Sequence, residues 1–504
     1  MNGKITSLPE LPEGWAWTTL GAIALEPQYG WTTSAVETGS LRLLRTTDIT
    51  TGKVDWNSVP FCKDEPPNVA KYLLHEGDIV ISRAGSVGYS YLVRKPLEAV
   101  FASYLIRFRP LIDGSYFAMF LLSPSYWEAI LVKSIGIALA NVNASKLKQI
   151  PFPLPPPPEQ HRIIAKIEEL FTRLDAGVEA LKKTKAQLKR YRQSVLKHAF
   201  EGKLTEEWRQ AHKHELKSAS ILLERIKKEC QKTVKAKYKE LHPLDTSNLP
   251  ELPEGWVWSN FEEVKKAEKN AIKAGPFGSS LKRESYVPHG YKIYGQEQVI
   301  RQDPFYGDYY VDEKKYLELK SCAVKPGDIL ISLVGTIGRV LILPGGSVEG
   351  IINPRLVKLS LEERLVDNKY IKAYVESSAV RDFFTLASHG ETMEILNLGI
   401  LRTLPVPVPS LAEQHRIVEE IERRFSVAAQ IEKTVDHSLK QAERLRQSIL
   451  KRAFEGKLVP QDPNGEPAEK LLERIKAERT KRLAEAKATS TSKKKTTTEQ
   501  MGLV

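Results

Sequence analysis

The chain repeats itself, and this limits its fold more tightly than any other feature. Residues Leu8–Trp17 (LPELPEGWAW) return as Leu249–Trp258 (LPELPEGWVW), an offset of 241. EQHRI at Glu159–Ile163 returns at Glu413–Ile417, and AFEGKL at Ala199–Leu204 returns at Ala453–Leu458, both at an offset of 254. Between these markers GDIVIS (Gly77–Ser82) returns as GDILIS (Gly327–Ser332) at 250. LLERIK at Leu222–Lys227 is echoed at Leu471–Lys476. The drifting offset places insertions and deletions ahead of EQHRI, whereas the constant 254 marks a stretch held to fixed length. The chain is a tandem duplication of about 250 residues, each copy a variable portion followed by a fixed one.

Each fixed portion reads as one long helix. It follows a proline stretch, Pro151–Pro158 or Pro405–Pro409, expected to stay extended as a stiff spacer. From Glu159 to about Phe200 there is no proline, and Ile167, Leu174, Leu181, Leu188 and Val195 recur every seventh residue, with Leu170 and Tyr191 on intervening positions. Ile421, Ala428, Val435, Ala442 and Ile449 follow the same period in the second copy, with Ile431 and Leu445 beside them. Such heptads predict a coiled-coil seam, and about 40 residues span roughly 60 Å. Leu in one seam faces the prospect of Ala in the other, which favours pairing within the chain over pairing between chains. Gly202 and Gly456 stand where a left-handed helix cap wants glycine. The variable portions read as mixed α/β. Strands are expected at Asp78–Ser82, Tyr89–Val93, Asp328–Leu333 and Arg339–Leu343, and helices at about Ser115–Leu131 and Asp367–Phe384. Beyond Pro460 one helix is expected, then disorder from about Ala488.

Lys and Arg number 75 against 62 Asp and Glu, a formal charge of +13 that makes a polyanionic partner plausible. The three cysteines, Cys62, Cys230 and Cys322, form no CxxC pair, which fits a reducing cytosol. No apolar run reaches the length of a membrane span, so a cytoplasmic location is expected. The chain has no Walker loop. Asn353-Pro354-Arg355 starts like an adenine-methyltransferase tetrad but lacks the second proline and the aromatic. Asp303 with Asp312-Glu313-Lys314 matches an acid, acid-x-Lys nuclease pattern that a charged chain produces by chance. His161 and His415 read as capping and packing between the two copies. No catalytic or metal-binding residue is assigned.

The positive signal is for binding. Seven basic residues and no acid lie between Leu181 and Phe200, a surface suited to phosphates or to an acidic partner. Lys182, Lys185, Lys189, Arg192 and, on the second helix, Arg444 are its candidates. In the variable portions, Arg83 and Arg94 flank a Gly-Ser loop, and Gly275–Arg283 is a glycine loop ending in two cations. Gln296 and Gln298 carry amides of the kind that read adenine edges. The candidate DNA contacts are Arg45, Thr46, Arg83, Ser86, Arg94, Lys282, Arg283, Gln296, Gln298, Thr336 and Arg339.

In order and duplication these motifs resemble the specificity (S) subunit of type I restriction-modification systems. The resemblance rests on LPxGWxW, GDI(V/L)IS with its glycine loop, Asn143 and Asn397 ahead of the prolines, EQHRI and AFxGKL, and covers about residues 8–460. It implies an α+β fold with pseudo-twofold symmetry, in which two mixed α/β target recognition domains are separated by two long antiparallel coiled-coil helices. The implied domains are target recognition domain 1 at 1–153, a spacer helix at 154–205, a charged helical linker at 206–248, domain 2 at 249–407, a second spacer helix at 408–459, and a basic tail at 460–504. It further implies a non-catalytic subunit that binds double-stranded DNA, each domain reading half of a bipartite asymmetric target. Two methyltransferase (M) and two restriction (R) subunits would be its partners, with S-adenosylmethionine, ATP and Mg on those subunits and no cofactor on this chain. On the residues alone, a sequence-independent DNA-binding or bridging protein and a coiled-coil scaffold without a nucleic-acid role remain open.

Overall fold

The computed structural model describes residues 8–134, 141–215, 218–233, 244, 246–247, 249–335, 337–387 and 398–482. The chain divides into two compact units, Met1–Leu181 with Asp436–Val504, and Lys182–Val435. These cut across the linear order of the repeat, because each takes half of both long helices, Pro157–Phe200 and Leu411–Phe454.

Each unit folds its variable portion into a head of two four-stranded sheets. In the first head one sheet runs Gln28–Tyr29, Leu105–Phe108, Ile79–Ser82, Ser90–Leu92, and the other Ala35–Val36, Phe61–Cys62, Arg42–Leu44, Ala99–Phe101. The second head matches it with Ile272–Ala274, Leu356–Leu359, Ile329–Ser332, Val340–Ile342, and with Tyr310–Val311, Tyr291–Tyr294, Gly350–Ile352, Ala323–Val324. A parallel strand pair also recurs, Arg42–Leu44 beside Ala99–Phe101 and Tyr291–Tyr294 beside Gly350–Ile352.

The repeated GDI(V/L)IS segment is an inner strand buried on both faces, so its side chains do not alternate with polar ones. Ile79 and Ile81 enter the core that holds the helices, while Val80 enters the core between the sheets with Leu44 and Phe101. Ile329, Ile331 and Leu330 divide in the same way. At about 1.5–3 kcal/mol per buried side chain, three consecutive residues fasten one sheet to two layers. The glycine ahead needs positive φ, +89° at Gly77 and +88° at Gly327. The next residue, Asp78 or Asp328, accepts the backbone N–H of His75 or Lys325. Each long helical stretch expected in the heads breaks in two, giving Gly114–Phe120 with Pro124–Ser134 and Asn368–Val375 with Ser378–Ala387. The breaks fall where the hydroxyls of Ser123 and Ser377 accept backbone N–H groups of the next helix, a local bond that competes with helix continuation.

The proline stretches are not free spacers. Pro151–Leu154 pairs antiparallel with Ala16–Thr19, and Pro405–Val408 with Val257–Asn260. Prolines at alternate positions, 151 and 153 or 405 and 407, leave the remaining N–H groups for pairing, as on an edge strand. Phe152, Leu154, Val406 and Val408 are buried. The opening GWxW motif and the closing prolines are therefore partners.

EQHR locks each long helix to its head. The Gln160 amide donates to Pro155 O at 2.9 Å, and Gln414 donates to Leu365 O and Pro409 O. His161 lies 3.4 Å from Asp113 and His415 3.7 Å from Asp367, the carboxylates that cap a helix of the same head. Packing between the copies, expected of the histidines, falls instead to the glutamates. Glu413 accepts from Thr205 Oγ1 at 2.8 Å, Arg209 at 2.7 Å and Trp256 Nε1 at 2.9 Å. Glu159 accepts from Gln461 alone among the described residues, at 3.3 Å. Gly202 and Gly456 cap the helices at φ +70° and +69°, and added Cβ atoms would meet Pro253 and Pro12 at 2.3 and 2.2 Å. The LPEGW segment of one copy thus closes over the AFEGK segment of the other.

Burial holds the Glu159 carboxyl above the usual carboxylate range, outweighing the opposing pull of its hydrogen bonding and of nearby Arg162. Its raised folded value favours the folded first unit below the ordinary Glu pKa, and that contribution is lost as pH rises through the folded value. Glu159→Gln is therefore expected to hold or raise first-unit stability at pH 7, and this advantage should vanish towards pH 4. Urea unfolding at both pH values checks this; a loss of stability at pH 7 contradicts it.

The two long helices pair in each unit. In the first, Asp175 bonds Arg446 and Arg162 donates to Pro460 O, an antiparallel order. In the second, Arg192 meets Glu432 at 2.8 Å, and Val195 and Ala199 share a core with Ile417, Val418 and Ile421. Ile167, Leu188, Val195, Ile421, Ala428, Val435 and Ile449 are buried seam residues. Tyr191, Ile431 and Leu445, expected beside the seam, are exposed. The linker helix Ala219–Thr233 packs Leu223 and Ile226 on the second head's core, and helix 468–482 packs Ala468 and Ile475 on the first head's. The stretch expected to be disordered from Ala488 lies outside the described residues, as does Asn397. No described helix is long and apolar enough to cross a membrane.

Candidate nucleic-acid interface

One corner of each head is built by the same backbone bonds. In the first head Ala102 N–H donates to Leu44 O and Arg83 N–H to Tyr104 O, both at 2.9 Å. The turn Ala102–Tyr104 therefore sits between the strand end carrying Arg45 and Thr46 and the loop Arg83–Gly88 carrying Ser86. Arg45 is the N-cap of helix Thr46–Ile49, and Asp48 takes hydrogen bonds from its backbone N–H, Nε and NH2 at 2.8, 3.1 and 2.8 Å. That bonding raises the guanidinium pKa and fixes its direction. The Arg83 guanidinium lies 5.1 Å over the Tyr29 ring. Arg83 Nε and Thr46 Oγ1 are buried without a hydrogen-bond partner among the described residues. Arg94 does not belong to this group. It follows strand Ser90–Leu92 at the end where Gly77 bonds Val93, beside Asp113 and His161, whereas Arg83 leaves the opposite end of the same hairpin.

In the second head Leu333 N–H donates to Arg355 O and Asn353 N–H to Tyr294 O, both at 2.9 Å, which sets Asn353–Arg355 where Ala102–Tyr104 stands. Gln296 donates to Ser332 Oγ at 2.8 Å and to Val334 O, which takes both amide hydrogens, and its carbonyl accepts from Arg355 NH1 at 3.4 Å. Arg283, Gln296, Asn353 and Arg355 line one cleft. Lys282 and Arg283 are exposed and form no ion pair among the described residues. Arg339 is exposed at the end of the neighbouring loop, whose Thr336 lies outside the described residues. Gln298 takes a different role. It is 1% exposed, its carbonyl accepts Gly295 N–H at 2.9 Å, and its amide donates to Tyr306 O at 2.8 Å. It supports the corner as Asp48 does in the first head and has no amide end left for a base.

Tyr104, Asn353 and Arg355 were not singled out as contacts by the sequence. Only the matching turn identifies them, because Asn353-Pro354-Arg355 drew notice as an incomplete methyltransferase tetrad. The nuclease-like acids serve local structure: Asp312 caps helix Glu313–Glu318 and Asp303 accepts Phe305 N–H at 2.9 Å. No group of metal-binding side chains gathers among the described residues. On the long helices Arg192 is engaged by Glu432, and Lys182 and Lys185 have partners of their own. Lys189 and Arg444 are exposed without an ion pair among the described residues.

A family model described as "Type I restriction modification DNA specificity domain" matches residues 42–190 and 261–441. The chain is 26% identical over 502 residues to the type I restriction enzyme EcoKI specificity subunit of Escherichia coli K12, covering 94% of this chain and 97% of that one. It is 25% identical over 499 residues to the StySPI specificity subunit of Salmonella potsdam, covering 93% and 96%. Its fold resembles a solved chain of a type I R-M system, with TM-score 0.62, 17% identity and coverage of 89% and 100%. The HsdS subunit from Thermoanaerobacter tengcongensis matches with TM-score 0.50, 18% identity and coverage of 90% and 99%.

Proposed function

The chain belongs to the type I restriction-modification DNA specificity family, and from that premise we propose that each of its heads reads one half of a split, asymmetric DNA target. The observation that carries this is the duplicated corner: one backbone frame presents Arg45, Thr46, Arg83 and Tyr104 in the first head, and Arg283, Gln296, Asn353 and Arg355 in the second. A shared frame with different side chains is what reading two different half-sites requires. Arg offers the paired donors that distinguish guanine edges, while exposed Lys282 supplies charge toward phosphates.

In this reading the chain methylates and cleaves nothing by itself. Two M and two R subunits bring S-adenosylmethionine, ATP and Mg, and the assembly works in the cytoplasm. Lys189 and Arg444 are its contacts to phosphates or partner subunits. Competition binding tests the reading: a duplex carrying both half-sites should resist random-sequence competitor by a factor of about 10³ or more. Equal displacement by any DNA, with a steep salt dependence, would mark a sequence-independent binder instead.

A further inference from the structure

The second head's corner carries a bare phenyl ring. Phe277 is 88% exposed, in a protein whose large apolar side chains are mostly covered. Its loop is firmly rooted: Gly275 N–H donates to Leu356 O at 2.9 Å, and a Cβ at Gly275 would stand 1.9 Å from Asn353 O. Ser280 N–H closes the turn on Phe277 O at 2.8 Å. Five and six residues on come the exposed cations Lys282 and Arg283, in no ion pair among the described residues, and Arg355 lines the adjoining cleft. The ring is thus held out on a tight turn with positive charge behind it.

At the matching position the first head has no exposed ring; its exposed corner ring is Tyr104, 61% exposed on the turn Ala102–Tyr104. Gly30 N–H donates to Leu105 O as Gly275 does to Leu356 O, so Thr32 stands where Phe277 stands. The neighbouring Trp31 is committed inward, donating to Asp64 O at 2.8 Å with its ring 5.5 Å from Tyr72.

We propose that Phe277 is a wedge that enters between two base pairs of the half-site read by the second head. This rests on the DNA-reading function proposed above. The phosphates beside the opened step would lie against Lys282. A phenyl ring makes no hydrogen bonds, so it reads no base edge. It selects steps that unstack easily, pyrimidine–purine steps foremost.

The test uses the full chain assembled with its M subunits, without S-adenosylmethionine, on duplexes of its methylated sequence carrying 2-aminopurine at each position in turn. Fluorescence should rise at one step of the second half-site and fall back in Phe277→Ala. Phe277→Ala should also weaken specific binding about 5- to 150-fold, and Phe277→Trp should restore both. A target adenine flipped by the methyltransferase would brighten with either protein, so the wedge is read as wild type minus variant. Matching profiles for wild type and Phe277→Ala would overturn the wedge and leave sequence reading intact. Loss of DNA-free assembly with the M subunits in Phe277→Ala would overturn it in favour of a protein contact. Failure of the wild-type complex to tell its target from random DNA would instead sink the reading function. So exposed a side chain supports no core, so the substitution should not unfold the head.

Discussion

Exchanging residues 249–407 for the matching region of a relative will change one half of the recognised sequence and leave the other untouched. The second corner draws only on residues within that span, from Gly275 to Arg355, and the second unit's compact body excludes residues 1–181. Each altered base pair carries about 1–3 kcal/mol, so a swapped half-site should shift preference by several orders of magnitude. The exchange has one structural condition. Phe200, from the first copy's long helix, packs on Tyr370 and Tyr374 with ring centroids 5.4 and 5.0 Å apart, so the incoming region must keep aromatic side chains there. Sequencing the methylated sites of the hybrid checks the prediction, and a hybrid that altered both halves would contradict separate heads.

Glu413→Ala will destabilise the second unit by about 3–5 kcal/mol. Arg209 and Glu413 form an ion pair with side chains 11% and 2% exposed, and Trp256 and Thr205 complete the carboxylate's bonds. Removing the carboxylate strands a guanidinium and two donors in a buried place. Against a typical domain stability of about 5–15 kcal/mol, that is enough to weaken the second unit severely while sparing the first. Urea unfolding should show one shifted transition, and a loss below about 1 kcal/mol would mean that the anchor behaves as a surface ion pair. The contrast with Glu159→Gln is the sharper test. The first unit gives its buried glutamate a hydrogen bond from Gln461 at 3.3 Å and no ion pair among the described residues, so the same motif position stabilises one unit through its charge and strains the other.

Much of the fold was legible in the sequence because its signals are local or periodic. Heptads at Ile167 and Ile421 are read along one helix, and GDI(V/L)IS carries its own turn and buried strand. The composition of the units was not legible. That the chain's opening segment closes over Gly456 depends on Pro12 filling the space beside a cap, a contact between the two ends of the sequence that no period records. The proline stretches misled for a similar reason: two prolines in four residues read as a spacer until Ala16–Thr19 supplies a partner edge. At the candidate interface the failures were of direction. Gln296 and Gln298 look equivalent in sequence, yet they stand at the first and third positions of a helix, one facing the cleft and the other turned back to cap it. Arg83 and Arg94 flank one loop in sequence but leave opposite ends of a hairpin. In sequence Arg192 stands in a run of cations, and its acid lies on the other long helix. Gly30 and Gly275, which align the two corners, fall where the repeat's offset drifts, so only the shared backbone bonds relate them.

The most direct measurement is methylome sequencing of cells that carry this chain with its M subunit and no other methyltransferase of the kind. The account predicts methylated adenines in a single bipartite motif, two short and different half-sites separated by an unread gap, which disappears when this chain alone is removed. A continuous motif, two identical halves, or methylation that persists without the chain would contradict it.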